Sequence, residues 1–289
     1  TMSSLSFRFG TVGSPKSTPK KPGGSVGAVI HIADLGLNGL ELGWVRSVRV
    51  SEKTCALIKD TALEHDVAIS VHAPYFINLN ADEEEWPKSR KRLMDAAYYG
   101  YLAGATDIVF HPGSYFKKSP EEVLPIAIDR LAGCLEELSS AGNTVTLRPE
   151  TMGKSAMLGS LEDTLKMSQA IEGVEPCIDF AHLHARPGDG SMNSYDEWAR
   201  ILDEYGTSLG AVALQNLHTH LSGIEYTPKG EKNHLPLEES DLDIRALLQA
   251  LKDFKCAGHI FIESPDEHLE GDALLAQKTW MEISGEEKT

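Results

Sequence analysis

Residues 68–111 read AISVHAPYFINLNADEEEWPKSRKRLMDAAYYGYLAGATDIVFH. Residues 68–72 and 107–111 are short apolar runs that each end in a histidine, and residues 87–105 between them form a predicted helix. Two strands joined by a helix of this length are typically parallel neighbours. The stretch therefore predicts an α/β fold with a parallel sheet and crossover helices.

The same alternation of strand and helix extends in both directions along the chain. The predicted strands are residues 6–12, 39–43, 68–72, 107–111, 144–148, 176–179, 212–220 and 258–263. The predicted helices are residues 25–35, 51–65, 87–105, 119–141, 160–171, 194–209, 242–254 and 272–283. Eight strand and helix pairs predict a single (β/α)8 TIM barrel over residues 1–289, with a metal site at the C-terminal face of its strands.

An open, doubly wound sheet is the alternative architecture. The Gly-rich loop at residues 13–24 lacks the GxGxxG spacing of a dinucleotide site, which favours the barrel. Residues 222–240 form a polar excursion between strand and helix. We interpret Thr1, which precedes Met2, as a remnant outside the fold, and residues 284–289 as a frayed tail.

Composition limits the classes of protein that the chain can belong to. Its 289 residues are 41% hydrophobic, and no apolar run approaches the roughly 20 residues that cross a bilayer. We therefore expect a cytoplasmic protein without a membrane partner. The net charge of −16 argues against nonspecific attraction to nucleic acid, although a local basic rim around a metal site is compatible with it. No CxxC pair is present, so we expect core thiols at Cys55, Cys134, Cys177 and Cys256.

Eight candidate metal ligands recur along the chain, nearly every one at the end of a short β-branched or aliphatic run. They are His72, His111, Glu150, Asp179, His182, His220, His234 and Glu263. The C-terminal ends of barrel strands point into the mouth where a TIM barrel holds its chemistry, so these residues predict one shared metal cluster. Any one of them alone could be structural. Mixed imidazole and carboxylate ligands suit Zn²⁺, with Mn²⁺ or Fe²⁺ as alternatives, and fit Ca²⁺ and Mg²⁺ poorly.

Six segments in order resemble the signature segments of endonuclease IV, an apurinic/apyrimidinic endonuclease family of the xylose-isomerase-like TIM barrels. They are SVHAPYFINL (70–79), VFHPGSY (109–115), RPETMG (148–153), CIDFAHLHA (177–185), HTHLSG (218–223) and FIES (261–264). One such segment is weak evidence, because sugar isomerases share the barrel. Six in register are specific, and the resemblance runs from residue 7 to about residue 280.

The resemblance implies three zinc sites. One zinc would be held by His72, His111 and Glu150, a second by Glu150, Asp179, His220 and Glu263, and a third by His182 and His234. The family completes the third site with an Asp two residues before the last histidine, where this chain has Lys232. A protonated lysine has no lone pair for a metal. Glu231, His184 or a water could replace the Asp, and we favour Glu231 because it keeps an anionic oxygen on the same loop.

The resemblance also implies the chemistry. Two neighbouring metal ions can activate a water and clamp a phosphodiester. Endonuclease IV cuts DNA on the 5′ side of an abasic site, leaving a 3′-hydroxyl and a 5′-deoxyribose phosphate. Glu150 would bridge the two metals, and Glu263 would bind metal and orient the attacking hydroxide. Both are the predicted catalytic residues.

Recognition of damaged double-stranded DNA is expected from the loops. Tyr75 and Phe76 would enter the duplex where a nucleotide has been flipped out, unless Phe76 packs beneath its loop. The predicted phosphate contacts are Lys16, Arg46, Arg186 and Lys229, with Lys20, Lys21, Arg49, Lys117, Lys118 and Lys232 as further candidates. Residues 43–47 depart from the family's polar DNA-probing loop.

Two other functions remain open from the sequence. One is a divalent-metal sugar isomerase or epimerase on the same barrel, which would need neither His182 with His234 nor a Tyr-Phe wedge. The other is a non-catalytic DNA- or metal-binding relative that has lost turnover through the change at Lys232. No obligate protein partner is indicated, and we expect a monomer.

Overall fold

Eight parallel strands form the central sheet of the protein in a computed structural model that describes residues 5–288. They are β1 (Phe7–Val12), β2 (Gly39–Gly43), β3 (Ala68–His72), β4 (Ala105–Phe110), β5 (Thr146–Pro149), β6 (Cys177–Asp179), β7 (Leu217–Leu221) and β8 (Gly258–Ile262). Their order in the sheet is β5-β4-β3-β2-β1-β8-β7-β6. Two parallel bridges, Leu147 to Val174 and Glu150 to Cys177, join the two ends and nearly complete the ring. The predicted TIM barrel is confirmed.

Helices follow the strands along the chain, and most of them pack on the outside of the barrel. They are α1 (Gly24–Asp34), α2 (Glu52–His65), α3 (Trp86–Leu102), α4 (Pro120–Ser140), α5 (Leu161–Ala170), α6 (Phe180–Ala185), α7 (Tyr195–Leu209), α8 (Ile244–Asp253) and α9 (Leu269–Ser284). Serine N-caps define where several helices begin. The Ser119 side chain accepts a hydrogen bond from the N–H of Glu122 in α4, and the Ser160 side chain accepts one from the N–H of Asp163 in α5. The helices and strands share one apolar core, in which Phe7 of β1 meets Trp280 of α9 edge to face.

Two predicted boundaries are wrong for local reasons. Residues 212–215 do not join β7, because Ala211–Gln215 forms a 3-10 helix and Val212 is 80% exposed. The predicted helix 87–105 ends at Leu102, since Gly104 adopts a left-handed φ of 85° and Ala105 already begins β4. Within the polar excursion, Gly223–Thr227 and Gly230–Leu235 pair as an antiparallel hairpin, here called the mouth hairpin.

The prediction also lacks a short helix and a short strand pair. The helix α6 follows β6 directly and is capped by Asp179, whose side chain accepts the N–H of His182. A short pair, Gly113–Ser114 with Met157–Leu158, ties the loops after β4 and β5 together.

Thr1 and Thr289 lie outside the described residues. Within the predicted tail, Glu286 accepts hydrogen bonds from Ser6 and from Trp280. All four cysteines are free and buried, as expected of core thiols. Among residues 5–288, no helix has the length and apolar character that crossing a membrane requires.

Candidate metal centre

The C-terminal ends of six neighbouring strands bring the predicted ligands together at one mouth of the barrel. His72 ends β3, Asp179 ends β6 and His220 lies in β7. The other three follow a strand directly: His111 after β4, Glu150 after β5 and Glu263 after β8. Four of the six are buried, and His111 and Glu263 are partly open to the mouth. Parallel strands place their carboxyl ends on one face, which is why residues so distant in sequence meet here.

Glu150 is the centre of this cluster. Its Oε1 lies 3.3 Å from His72 Nε2 and 3.4 Å from His220 Nδ1. Its Oε2 lies 3.1 Å from His182 Nδ1 and 3.6 Å from His111 Nε2. Neither oxygen has a well-formed hydrogen bond, although the side chain is buried. A buried carboxylate without hydrogen bonds is costly, and metal ions between these groups would satisfy it.

The donor atoms divide into three compact sets. His72, His111 and Glu150 form the first, and Glu150, Asp179, His220 and Glu263 form the second. His182, Glu231 and His234 form the third. Within each set the donor atoms lie within 4.8 Å of one another. Asp179 Oδ2 and His220 Nδ1 also lack hydrogen bonds while buried, so the second set contains the same kind of unsatisfied atoms as Glu150. The residues present therefore fit bound metal ions.

The mouth hairpin explains how Glu231 reaches the third set. Tyr226 pairs with Glu231 and Glu225 pairs with Asn233, so Lys232 is an extra residue in a β-bulge. Side chains alternate along a strand, and the extra residue shifts that alternation by one. Glu231 consequently lies on the face of His234, with its Oε2 3.2 Å from His182 Nε2.

The other candidates for the third set point elsewhere. Lys232 is exposed, and its Nζ bonds Glu225 at 3.1 Å. Both ring nitrogens of His184 are occupied, by the Met192 carbonyl at 2.8 Å and by Asp241 at 2.7 Å. Of the alternatives to the family Asp, Glu231 is the residue that the fold brings beside His182 and His234.

The charges of the cluster are strongly coupled. Burial alone would lower the pKa of His72, but the contact with Glu150 outweighs it and raises that pKa to about 9. Burial dominates at His111 and lowers its pKa to about 4. Burial also raises the pKa of Asp179, to about 6, with Glu150 adding to the effect. A proton on His72 thus compensates the charge of Glu150, where a cation would do so in a metal-bound site.

Glu41 is a member of the site that the sequence analysis missed. This residue of β2 is fully buried, and its Oε2 lies 2.6 Å from His220 Nε2. Its Oε1 accepts from Ser70 Oγ at 2.8 Å and lies 2.6 Å from His218 Nε2. Because Glu41 contacts His220 Nε2, Nδ1 is the ring nitrogen of His220 that would bind a metal. The available signal was an acid between Leu40 and Leu42 in an otherwise apolar strand.

Comparison with known proteins gives the family. A family model described as xylose isomerase-like TIM barrel matches residues 29–283. The chain belongs to the xylose isomerase-like TIM barrel family. An uncharacterized protein of Methanocaldococcus jannaschii is 38% identical over 276 residues, which cover 95% of this chain and 97% of that relative.

Relatives named endonuclease 4 match over a shorter stretch. The probable endonuclease 4 of a Geobacillus species is 29% identical over 180 residues, covering 58% of this chain and 56% of its own length. The chain thus spans about half of the length of this relative. The predicted resemblance to endonuclease IV is confirmed, because relatives with this name match the chain.

Solved structures of proteins with two different names share the fold of this chain. A D-tagatose 3-epimerase-like protein has a TM-score of 0.73 at 19% identity, covering 96% of this chain and 98% of its own. Endonuclease IV from Thermus thermophilus has a TM-score of 0.71 at 22% identity, covering 95% of this chain and 99% of its own. At these identities the likeness establishes the barrel and leaves the reaction open.

Two aromatic side chains lie in the loop that follows His72 in the candidate metal centre. Tyr75 is 49% exposed, and its ring centroid lies 5.3 Å from that of His111. Phe76 is 71% exposed, so it does not pack beneath its loop. A cavity of about 900 Å³ opens next to both, between the loops after β3 and β4.

The predicted phosphate-binding residues differ in their surroundings. Arg46 and Lys229 are exposed and form no ion pair with residues 5–288, whereas Lys16 pairs with Glu267 at 2.8 Å. Arg186 is half-buried, and its guanidinium donates to the carbonyls of Met152 and Met157. It thereby joins the segment after α6 to the loop after β5. The further candidates are exposed at Lys20, Lys21, Arg49, Lys117 and Lys118.

Proposed function

We propose that the protein is a metal-dependent endonuclease that cuts the DNA backbone on the 5′ side of abasic sites, with zinc as its metal. The observation that carries the proposal is the third donor set, His182, Glu231 and His234, beside the two sets that share Glu150. A third set has no evident use in isomerising a small sugar. Phosphodiester hydrolysis develops negative charge on several oxygens, which additional cations stabilise.

The donor chemistry supports zinc. Each set combines imidazole with carboxylate, the combination that Zn²⁺ accepts readily, with Mn²⁺ or Fe²⁺ as alternatives. Zinc bound there would supply a hydroxide near neutral pH and neutralise the phosphate. His72, His111 and Glu150 would hold one ion, the Glu150 set a second and the Glu231 set a third.

The chain's own residues would divide the remaining work. Glu263 is 17% exposed at its side chain and faces the mouth 3.4 Å from His220, where it would orient the attacking water. Tyr75 and Phe76 would fill the gap that a flipped nucleotide leaves in the duplex. Exposed aromatics suit this role, because stacking on a base contributes about 1–3 kcal/mol in single-strand complexes. Arg46 and Lys229 are free to contact the phosphates.

A sugar isomerase or epimerase is the second candidate, favoured by the likeness to the D-tagatose 3-epimerase-like protein. The two candidates predict different substrates for the same donor sets. A non-catalytic relative would bind metal and DNA without turning either substrate over.

The test uses zinc-loaded protein and a labelled duplex with one tetrahydrofuran abasic analogue. We expect one cut on the 5′ side of the analogue, loss of the cut with a chelator, and a rate at least a hundredfold lower for Glu263→Gln. Glu282→Gln, an exposed acid on α9 that pairs with Arg245, is the matched control and should cut normally. An intact strand together with C3 epimerisation of a keto sugar would establish the second candidate instead.

A further inference from the structure

A basic pocket lies beside the loop that carries Tyr75 and Phe76. It has a volume of about 310 Å³ and is bounded by the loop after β2, by Pro74 and by the first turns of α3. Its lining residues are Arg46, Ser47, Val48, Pro74, Lys88, Lys91, Arg92 and Asp95. Four cations and one acid line this space in a protein whose net charge is −16. Such a local reversal of charge indicates an anionic ligand.

The sequence produces the pocket through helical spacing. Residues 88–92 read KSRKR, which places Lys88, Lys91 and Arg92 on one face of α3 at i, i+3 and i+4. Arg90 points to another side and pairs with Glu137 of α4. The loop after β2 adds Arg46 to the same face, because the Tyr75 N–H donates to the Val45 carbonyl at 2.8 Å and joins the two loops.

The cations of the pocket are available to a ligand. Arg46 has no ion pair among residues 5–288. Lys88 pairs with Glu85 at 3.0 Å and Lys91 pairs with Asp95, but these lysines are 57% and 75% exposed. Exposed pairs of this kind contribute at most about 1 kcal/mol, so a phosphate can displace the acids at little cost. Arg92 has a fixed position, since its Nη1 donates to the Phe76 carbonyl at 2.7 Å.

We propose that this pocket binds phosphate groups of the DNA backbone that flank the Tyr75–Phe76 loop. The choice of DNA as ligand rests on the proposed function. Arg92 joins the pocket to the loop, and Pro74 in its wall directly precedes Tyr75, so a duplex engaged by the two aromatics passes next to the four cations. Contacts of this kind fix the register of a protein on DNA and carry no sequence information.

The experiment compares two triple variants of the zinc-loaded protein. Arg46→Gln, Lys88→Gln and Lys91→Gln together remove three cations from the pocket and leave Arg92 to hold the loop. Lys252→Gln, Lys255→Gln and Lys278→Gln together remove the same charge elsewhere. Lys252 and Lys255 border a cavity shared with Ser6, at the opposite end of the barrel. Binding of a labelled undamaged duplex is followed by fluorescence anisotropy over a series of salt concentrations.

Each phosphate contact adds about 0.9 to the slope of log K against log salt concentration. We expect the magnitude of this slope to be smaller by about 2 to 3 in the pocket variant than in the wild type, and unchanged in the control variant. Equal slopes for both variants, or a wild type that binds no duplex, would overturn the pocket. Cleavage at the tetrahydrofuran site is measured in parallel. A lower slope in the pocket variant, with no cleavage by the wild type, would support DNA binding by the pocket and contradict the proposed endonuclease activity. Cleavage by the wild type, with equal slopes for both variants, would support the activity and contradict the pocket.

Discussion

Glu41 is a buried side chain that sets the chemistry of a neighbour in the candidate metal centre. Its two oxygens contact His218 and His220, each at 2.6 Å, and no solvent reaches it. The charges of the two histidines overcome the cost of burial and hold the pKa of Glu41 well below its usual range. Glu41 is therefore an anion that orients His220 from behind, as carboxylates do for many histidines that bind zinc.

We predict that Glu41→Gln weakens zinc binding by about 10- to 100-fold, because the amide orients the His220 ring less strongly and makes its Nδ1 less basic. The measurement is competition with a chromogenic chelator, after circular dichroism has verified the fold. Glu172→Gln, an exposed acid between α5 and β6, serves as control and should bind zinc as the wild type does. Unchanged affinity in Glu41→Gln would reduce Glu41 to a packing role.

At the residue scale, the sequence predicted the candidate ligands at or near strand ends and missed Glu41, a buried acid in the middle of β2 that contacts His220. His72, His111 and Glu150 end apolar runs, and the barrel fixes where such ends point. Whether Glu41 faces the barrel interior depends on strand tilt and register, which the sequence of β2 alone does not specify. Its partner His218 lies two residues before His220 in β7 and contacts Glu41 through Nε2.

The mouth hairpin is the element that most changes the interpretation of the sequence. Counting back by two from His234 leads to Lys232, which suggests a missing ligand. Because Lys232 is an extra residue in the bulge, the side chain on the same face as His234 is the one three positions before it, which is Glu231. A bulge depends on the pairing of two strands, so it is not visible in residues 230–235 read alone. The hairpin also packs closely on its surroundings, where Glu231 N–H donates to the Gly153 carbonyl at 2.9 Å.

We predict that a variant lacking Lys232 binds a third metal ion at His182, Glu231 and His234. Without the extra residue the ladder becomes regular, and the glutamate then stands two positions before the histidine on the same face. Elemental analysis should find three zinc ions per chain in the deletion variant and in Lys232→Ala, but only two in Glu231→Gln. Three ions in Glu231→Gln would mean that another ligand or water completes the set.

At the scale of the whole molecule, the barrel depends on closing the seam between β5 and β6. Only two isolated bridges join these strands, fewer than the pairings of the other neighbours in the described part of the chain. Arg148 of β5 supplements them, since its guanidinium donates to the carbonyls of Pro176 and Asn216, just before β6 and β7. Its Nε donates to Asp107 of β4 at 2.7 Å, which compensates the buried charge.

The alternation of strand and helix predicted this barrel, but nothing in it identified the seam. Arg148 appeared in the sequence as the start of a metal-binding segment, and its structural partners come from three distant stretches. Long-range contacts of this kind follow from the closed fold and not from local pattern.

We predict that Arg148→Met lowers the free energy of unfolding by about 3–5 kcal/mol, because Asp107 is left buried without its counter-charge and two carbonyls lose their donor. Adding Asp107→Asn should restore part of the loss, since the uncompensated charge disappears while the carbonyls stay unpaired. Urea denaturation of chelator-treated protein measures both variants without a contribution from bound metal. Arg245→Met, which breaks the exposed pair with Glu282, should cost no more than about 1 kcal/mol. If Arg148→Met were as stable as Arg245→Met, the two bridges alone would be sufficient to close the barrel.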